Sequence, residues 1–283
     1  GIITGLTFYW MYDICVQFSQ INNIKSIFFQ DVFLYEDLFF NISSDYILTA
    51  SYLFNNDSIK YFNKDKNKLF ISKDINSFLT KSPLDLHIKN TKEIEYIKLS
   101  MGNKLNILDR KVILFASDPG NTMNSLDQKY IDEFNLLNTL SNLDEYFIII
   151  KLHPSDNTGI SKKALRDSRN KNAIVVKDID FYDCLYSCDI FVSKYSTSVL
   201  EAMLLNKFIL LNNYDKAFFY KKAVDYKVAH YINKIEDIKM HINSKDKYML
   251  NFEEKRKEYF DKVYVDSSDN KNIVEILKEV IND

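Results

Sequence analysis

Between Phe147 and Asn213, four short apolar runs (147–152, 173–176, 189–192 and 208–211) alternate with segments of helical character. A buried strand that repeatedly hands over to a covering helix predicts an α/β unit built on a parallel sheet. The pattern starts one step earlier, with the run Val112–Ser117, a turn at Asp118-Pro119-Gly120-Asn121 and a helix over 126–141. Proline fixes one backbone dihedral and glycine frees the next, so that tetrapeptide reads as a turn. Beyond Asn213 come a shorter apolar run, Tyr226–Ile232, and helical segments near 234–243, 252–263 and 271–281. The last two alternate charge around an apolar stripe and are expected to pack back across the domains.

Upstream, Phe8, Tyr12, Cys15, Val16 and Ile21 stand near helical spacing and predict a helix over 8–21. Strands are expected at Ser26–Val32, Asp45–Thr49 and Lys68–Ser72, which are rich in aromatic and β-branched residues. Residues 87–110 are polar and mixed, with helical propensity around Thr91–Ser100. Residues 1–100 read as the later part of an α/β domain whose first strands are missing or very short. At 283 residues the chain has room for two domains. The boundary is placed near 105–111, giving an incomplete N-terminal domain over 1–108 and a second domain over 109–283.

Composition narrows the classes. Charge is balanced, 37 Lys+Arg against 39 Asp+Glu, which argues against a nucleic-acid binder. Cys15, Cys184 and Cys188 show neither metal-site nor disulfide spacing, and a reducing, cytoplasmic setting fits them. No apolar run approaches the roughly 20 residues that span a bilayer. The chain opens without a Met and without a signal peptide, as the interior of a longer protein would.

Two polar groups interrupt the alternation where strands end, and ligands of open parallel sheets bind beyond the carboxyl ends of strands. At the first, His153 precedes Pro154, which restrains it to extended geometry, and Lys151 lies two residues earlier. A cation and an imidazole on one side would suit a phosphate; a histidine hydrogen-bonded in a turn is the plainer reading. At the second, Ser196, Thr197 and Ser198 open a helix. One hydroxyl is expected to cap it, and the free amides of such an end attract an anion. Glu201, in the first turn, either complements the helix dipole or accepts from a ribose or sugar hydroxyl. Asp178-Ile179-Asp180 spells a DxD pair that could hold a divalent cation, but it leads straight into a helix and is read as structural, with Asp180 or Asp183 as the cap.

The order of a strand ending in Lys-Leu-His-Pro, a Cys-Asp-apolar strand, a helix opening Ser-Thr-Ser-x-x-Glu-Ala and a further apolar strand resembles the nucleotide-binding domain of GT-B glycosyltransferases. The resemblance is strongest to bacterial enzymes of capsule, lipopolysaccharide and teichoic-acid synthesis. These include sialyltransferases and polysialyltransferases with His-Pro and Ser-Ser/Thr motifs, and CDP-glycerol glycerophosphotransferases. It covers about residues 111–213 well and the N-terminal part loosely. It implies an α/β, GT-B-like fold: two Rossmann-like domains facing a cleft, the N-terminal one reduced or truncated. It also implies that His153 and its neighbours Lys151 and Pro154 meet the donor phosphate, with Ser196, Thr197 and Ser198 on its other side. Glu201 would take the ribose, the loop from Lys177 to Phe181 would border the base, and Asp118, Gly120 and Asn121 would face the cleft. In the Gln30-Asp31-Val32 element, Asp31 stands where related enzymes carry His, and is a candidate general base or a turn residue.

The expected activity is metal-independent transfer of a sugar or polyol phosphate from a nucleotide-activated donor, CMP- or CDP-linked more than UDP-linked, to a hydroxyl of a bacterial surface glycan or glycolipid. No further cofactor is expected. Peripheral attachment at the inner face of the membrane and homo-oligomerisation remain open. The alternatives are a UDP-GlcNAc 2-epimerase-like enzyme and a non-catalytic domain that binds nucleotide or glycan.

Overall fold

The computed structural model describes residues 2–4, 9–29, 45–49, 69–71, 90–107, 110–117, 126–156, 158–194, 196–214, 216, 220–263 and 272–282. The chain divides into two compact units, Gly1–Leu86 with Lys257–Asp283, and His87–Arg256. The division falls earlier than the sequence boundary near 105–111. The helix Thr91–Leu105 (α2) belongs to the second unit because it packs on the helix Phe181–Ser187 (α5) of that unit. Its ends are set locally. Asn90 and Glu93 close a capping box, and Asn106 stops the helix in the left-handed region at φ 55°.

Six parallel strands form the second unit's sheet: β5 (Lys111–Ala116), β6 (Tyr146–Lys151), β7 (Ala173–Val176), β8 (Ile190–Ser193), β9 (Phe208–Asn212) and β10 (His230–Ile232). Their spatial order is β10-β9-β8-β5-β6-β7. Counted from β5 this is 3-2-1-4-5-6, the doubly wound Rossmann order, and its direction reverses between β5 and β8. Four of the apolar runs thus became the central strands β5, β6, β8 and β9, as a sheet buried on both faces requires, while the run 173–176 became the half-buried edge strand β7.

Alternate strand residues serve the two faces. Ile113 pairs with Ile148 and Ile190, and Phe115 with Ile150 and Val192, so these stack on one face. Leu136, Leu137 and Leu140 of the helix Leu126–Leu140 (α3) and Ala164 of the helix Thr158–Ser168 (α4) complete that core. On the other face, Phe181 of α5 sets its ring edge-on to the buried Phe191, at 6.5 Å between centroids. Two short helices, Ser198–Leu204 (α6) and Lys221–Asp225 (α7), border β9 in sequence.

In the first unit, β1 (Ile2–Thr4), β2 (Ser26–Phe29), β3 (Tyr46–Thr49) and β4 (Leu69–Ile71) form a parallel sheet in that order. The expected helix over 8–21 is present as α1 (Tyr9–Ile21). β1 was not anticipated, being three residues long. Among the described residues, no helix is long and apolar enough to cross a membrane.

Candidate functional site

The switch point brings the carboxyl ends of β6, β5 and β8 side by side. With strands about 4.8 Å apart, the loops after β6 and β8 leave the sheet about 10 Å from one another, on either side of β5. The loop after β5 contains Asp118, Gly120 and Asn121, which lie outside the described residues, as does Asp31.

After β6, the chain turns through His153, Pro154 and Ser155, all exposed, to the buried Asp156. The Asp156 amide donates to the His153 carbonyl at 2.9 Å and closes the turn. Ser155 holds the imidazole: its backbone N–H donates to Nδ1 at 3.2 Å, and its hydroxyl lies 2.7 Å from the same nitrogen. A ring nitrogen that accepts from an amide is unprotonated, so in the neutral ring the proton sits on Nε2. His153 therefore presents an N–H donor away from its own turn.

Lys151 does not join it. Its side chain is buried, and Nζ donates to the carbonyls of Lys177 at 2.7 Å and Leu152 at 3.2 Å. Lys177 in turn donates from Nζ to the Asp156 carbonyl at 2.8 Å, so both lysines brace the turn.

After β8, the Ser198 amide donates to Ser196 Oγ at 3.3 Å, and the two serine hydroxyls share a bond of 2.6 Å. The Ser196 hydroxyl thus takes up one free amide at the start of α6, and its carbonyl accepts from Tyr220 Oη at 2.7 Å. Thr197 makes no capping bond and is exposed. The buried Ser193 hydroxyl at the end of β8 has no hydrogen-bond partner among the described residues. Glu201 accepts from Tyr182 Oη at 3.1 Å, tying α6 to α5. Burial first, then the Glu201 carboxylate, push the Tyr182 phenol above its ordinary range, so it stays a donor.

Asp180 caps α5 by accepting from the amides of Tyr182 (2.8 Å) and Asp183 (3.1 Å). Of the two residues the sequence offered as cap, Asp180 is the one that serves. Cys184 and Cys188 are buried, which pushes their thiols up to about 12 and about 11, outside the range of reactive thiolates.

Sequence reasoning passed over Ser155, Asp156 and the α3 residues Lys129 and Glu133. A signal existed for the last two. Lys129, Asp132 and Glu133 are in phase with Leu136, Leu137 and Leu140, so one buried helical stripe turns from apolar to charged toward the carboxyl ends of the strands.

No protein-family model matches the chain. Over 129 residues it is 31% identical to the teichoic acid glycerol-phosphate primase of Bacillus subtilis (strain 168), a match covering 44% of this chain and 31% of that protein. The chain therefore spans about a third of that relative. Among solved structures, it is similar to Anabaena Alr3699/HepE in complex with UDP (TM-score 0.61, 12% identity, 98% of this chain and 79% of that one). It is also similar to the UDP-GlcNAc 2-epimerase of Neisseria meningitidis bound to UDP-GlcNAc (TM-score 0.58, 14% identity, 95% and 73%). A variant of the wall teichoic acid polymerase TagF matches with a TM-score of 0.50 and 16% identity, over 92% and 68%. At such identities these likenesses show the shared Rossmann-like α/β fold.

Proposed function

We propose that this chain binds a nucleotide-activated donor at the β5/β8 switch point and transfers a polyol phosphate or a sugar to a hydroxyl of a bacterial surface polymer. The observation that carries the reading is the outward Nε2 donor of His153, set by Ser155 one strand away from the switch point. The sequence match to a glycerol-phosphate primase favours polyol phosphate, and with it a CDP-linked donor. In that reaction an acceptor oxygen forms a bond to the donor's outer phosphorus. The bridging P–O bond breaks, and its electron pair leaves on the phosphate of CMP. In the sugar variant the acceptor bonds to the anomeric carbon, and the C–O bond to the nucleotide breaks. In both, His153 Nε2–H donates to the phosphate on which charge accumulates, a contribution that a preorganised donor makes without reorganising. Thr197, the exposed hydroxyl of the Ser/Thr cluster, is assigned to the same phosphate, and Glu201 to the ribose. The acceptor proton goes to a base, for which Asp31 remains the candidate. The acceptor would be a glycan or glycolipid, met at the inner face of the membrane.

Calorimetric titration with CMP, CDP and UDP, on the wild type and on His153→Ala, tests the site. Micromolar binding of CMP or CDP that falls at least tenfold in the variant is expected, for one hydrogen bond to a charged oxygen. No binding of any of the three at millimolar concentration would remove the donor site. Transfer that survives EDTA is the corresponding expectation for leaving-group stabilisation by protein donors. The epimerase reading has the likeness to the Neisseria enzyme in its favour, and it predicts UDP release from UDP-GlcNAc without acceptor.

A further inference from the structure

Behind the His153 turn, four polar side chains meet inside the second unit. Lys129 and Glu133 come from α3, Ser117 from the end of β5 and Asp156 from the turn itself; all four are buried. The Lys129 ammonium is ion-paired with the Asp156 carboxylate and donates to Ser117 Oγ at 2.8 Å. The Ser117 hydroxyl donates to Glu133 Oε1 at 2.6 Å, and Lys129 Nζ lies 3.7 Å from the same oxygen. Every buried charge carries a desolvation cost that a leucine in the same stripe would not. Packing alone therefore does not account for Lys129 and Glu133 standing where the stripe's pattern calls for apolar residues.

The connection to the imidazole runs in two steps. Lys129 fixes the Asp156 side chain, while the backbone of Asp156 is held by His153 on one side and Lys177 on the other. Ser155, confined between the two, then meets His153 Nδ1 with both its amide and its hydroxyl. We propose that the Lys129–Asp156 pair is a positioning device that anchors the His153 turn to α3 and the end of β5, so that Nε2 is held at one place, one strand away from the switch point. This rests on the reading of His153 as a donor to the ligand's phosphate. Lys129 and Asp156 act through His153 and touch no ligand themselves.

A merely structural pair and a positioning pair differ in a double-mutant cycle, because a lever with nothing to position has no effect. The measurement is calorimetric affinity for CDP in the wild type, His153→Ala, Asp156→Asn and the double variant, with the melting temperature of each. Asp156→Asn keeps shape and an acceptor but loses the charge. Partners that orient metal-ligating histidines are worth about 10- to 100-fold, and the same scale is taken for this turn. The expected result is a weakening of at least about tenfold in the wild-type background and less than about twofold in the His153→Ala background. Equal losses in both backgrounds, or no loss in the first, would overturn the positioning role while leaving the His153 reading intact. If His153→Ala itself binds CDP as the wild type does, reading and positioning role fall together. Should Asp156→Asn not fold, Lys129→Gln puts the same question from the other end of the pair, with the same two backgrounds and the same deciding outcomes.

Discussion

An imidazole has two nitrogens, and in His153 the backbone of Ser155 claims one of them. This separates two amide substitutions that are otherwise alike. A glutamine amide reaches where Nε2 stands, whereas an asparagine amide reaches only as far as Nδ1. His153→Gln should therefore bind CMP or CDP within about tenfold of the wild type, and His153→Asn should bind as weakly as His153→Ala, each lost donor costing about 1.5–3 kcal/mol. Titration of the three variants decides it; an asparagine that outperforms glutamine would mean that Nδ1 faces the ligand. At this scale the sequence was half legible. His-Pro after an apolar run marks a residue held at a sheet edge. Nothing in the pattern told Lys151, turned inward onto two carbonyls, from a lysine facing the ligand. Three adjacent hydroxyls likewise look equivalent in sequence, and only the fold separates Ser196, whose hydroxyl accepts the Ser198 amide, from the exposed Thr197.

Among the elements, the far edge of the second unit's sheet carries a pH dependence of its own. His230 of β10 lies against Tyr248 at 4.1 Å between ring centroids and 5.4 Å from Phe208. His241, from the helix Asp237–Asn243, is 6.0 Å away. Burial, then His241 and Lys255, lower His230 to about 4, and burial lowers His241 against the opposing pull of Asp237. Both folded-state values lie below the ordinary imidazole value of about 6.5. Between pH 6.5 and 4 the unfolded chain therefore binds more protons, and stability rises with pH across that window. On acidification from pH 7.5 to 5, this edge should lose on the order of 1–2 kcal/mol. Carboxylates elsewhere titrate too, so the test compares urea midpoints of the wild type and His230→Phe at both pH values. The variant should lose less on acidification, and an identical loss would show that the pair does not titrate as described. The apolar run 226–232 foretold the strand here. Its aromatic stack with residues 241 and 248 could not be foretold, because it depends on how two short helices return to the sheet.

For the whole chain, the alternation of strand and helix was enough to predict an α/β unit on a parallel sheet, because strands buried on both faces advertise themselves as unbroken apolar runs. It was not enough to divide the chain. Helix α2 is polar and mixed in composition, and its place in the second unit is decided by packing on α5. The same holds at the other end, where Lys257–Asp283 belong with the first unit although some 170 residues of the second intervene. The helix Ile273–Asn282 starts with a capping box between Asn272 and Glu275 and buries Ile276 and Val280 completely or nearly so. The Val280 carbonyl accepts from Lys25 Nζ at 3.0 Å, one residue before β2 begins. The first unit's described strands are only three or four residues long. Burying each of the two apolar side chains contributes about 1.5–3 kcal/mol. A chain ending at Arg256 should therefore keep slow hydrogen exchange in β5, β6, β8 and β9 and lose it in β2 and β3, since opening free energies differ between cooperative units. Unchanged protection in β2 would mean that the terminal helix adds nothing to the first sheet. Lost protection in both sheets would mean that the two units unfold as one.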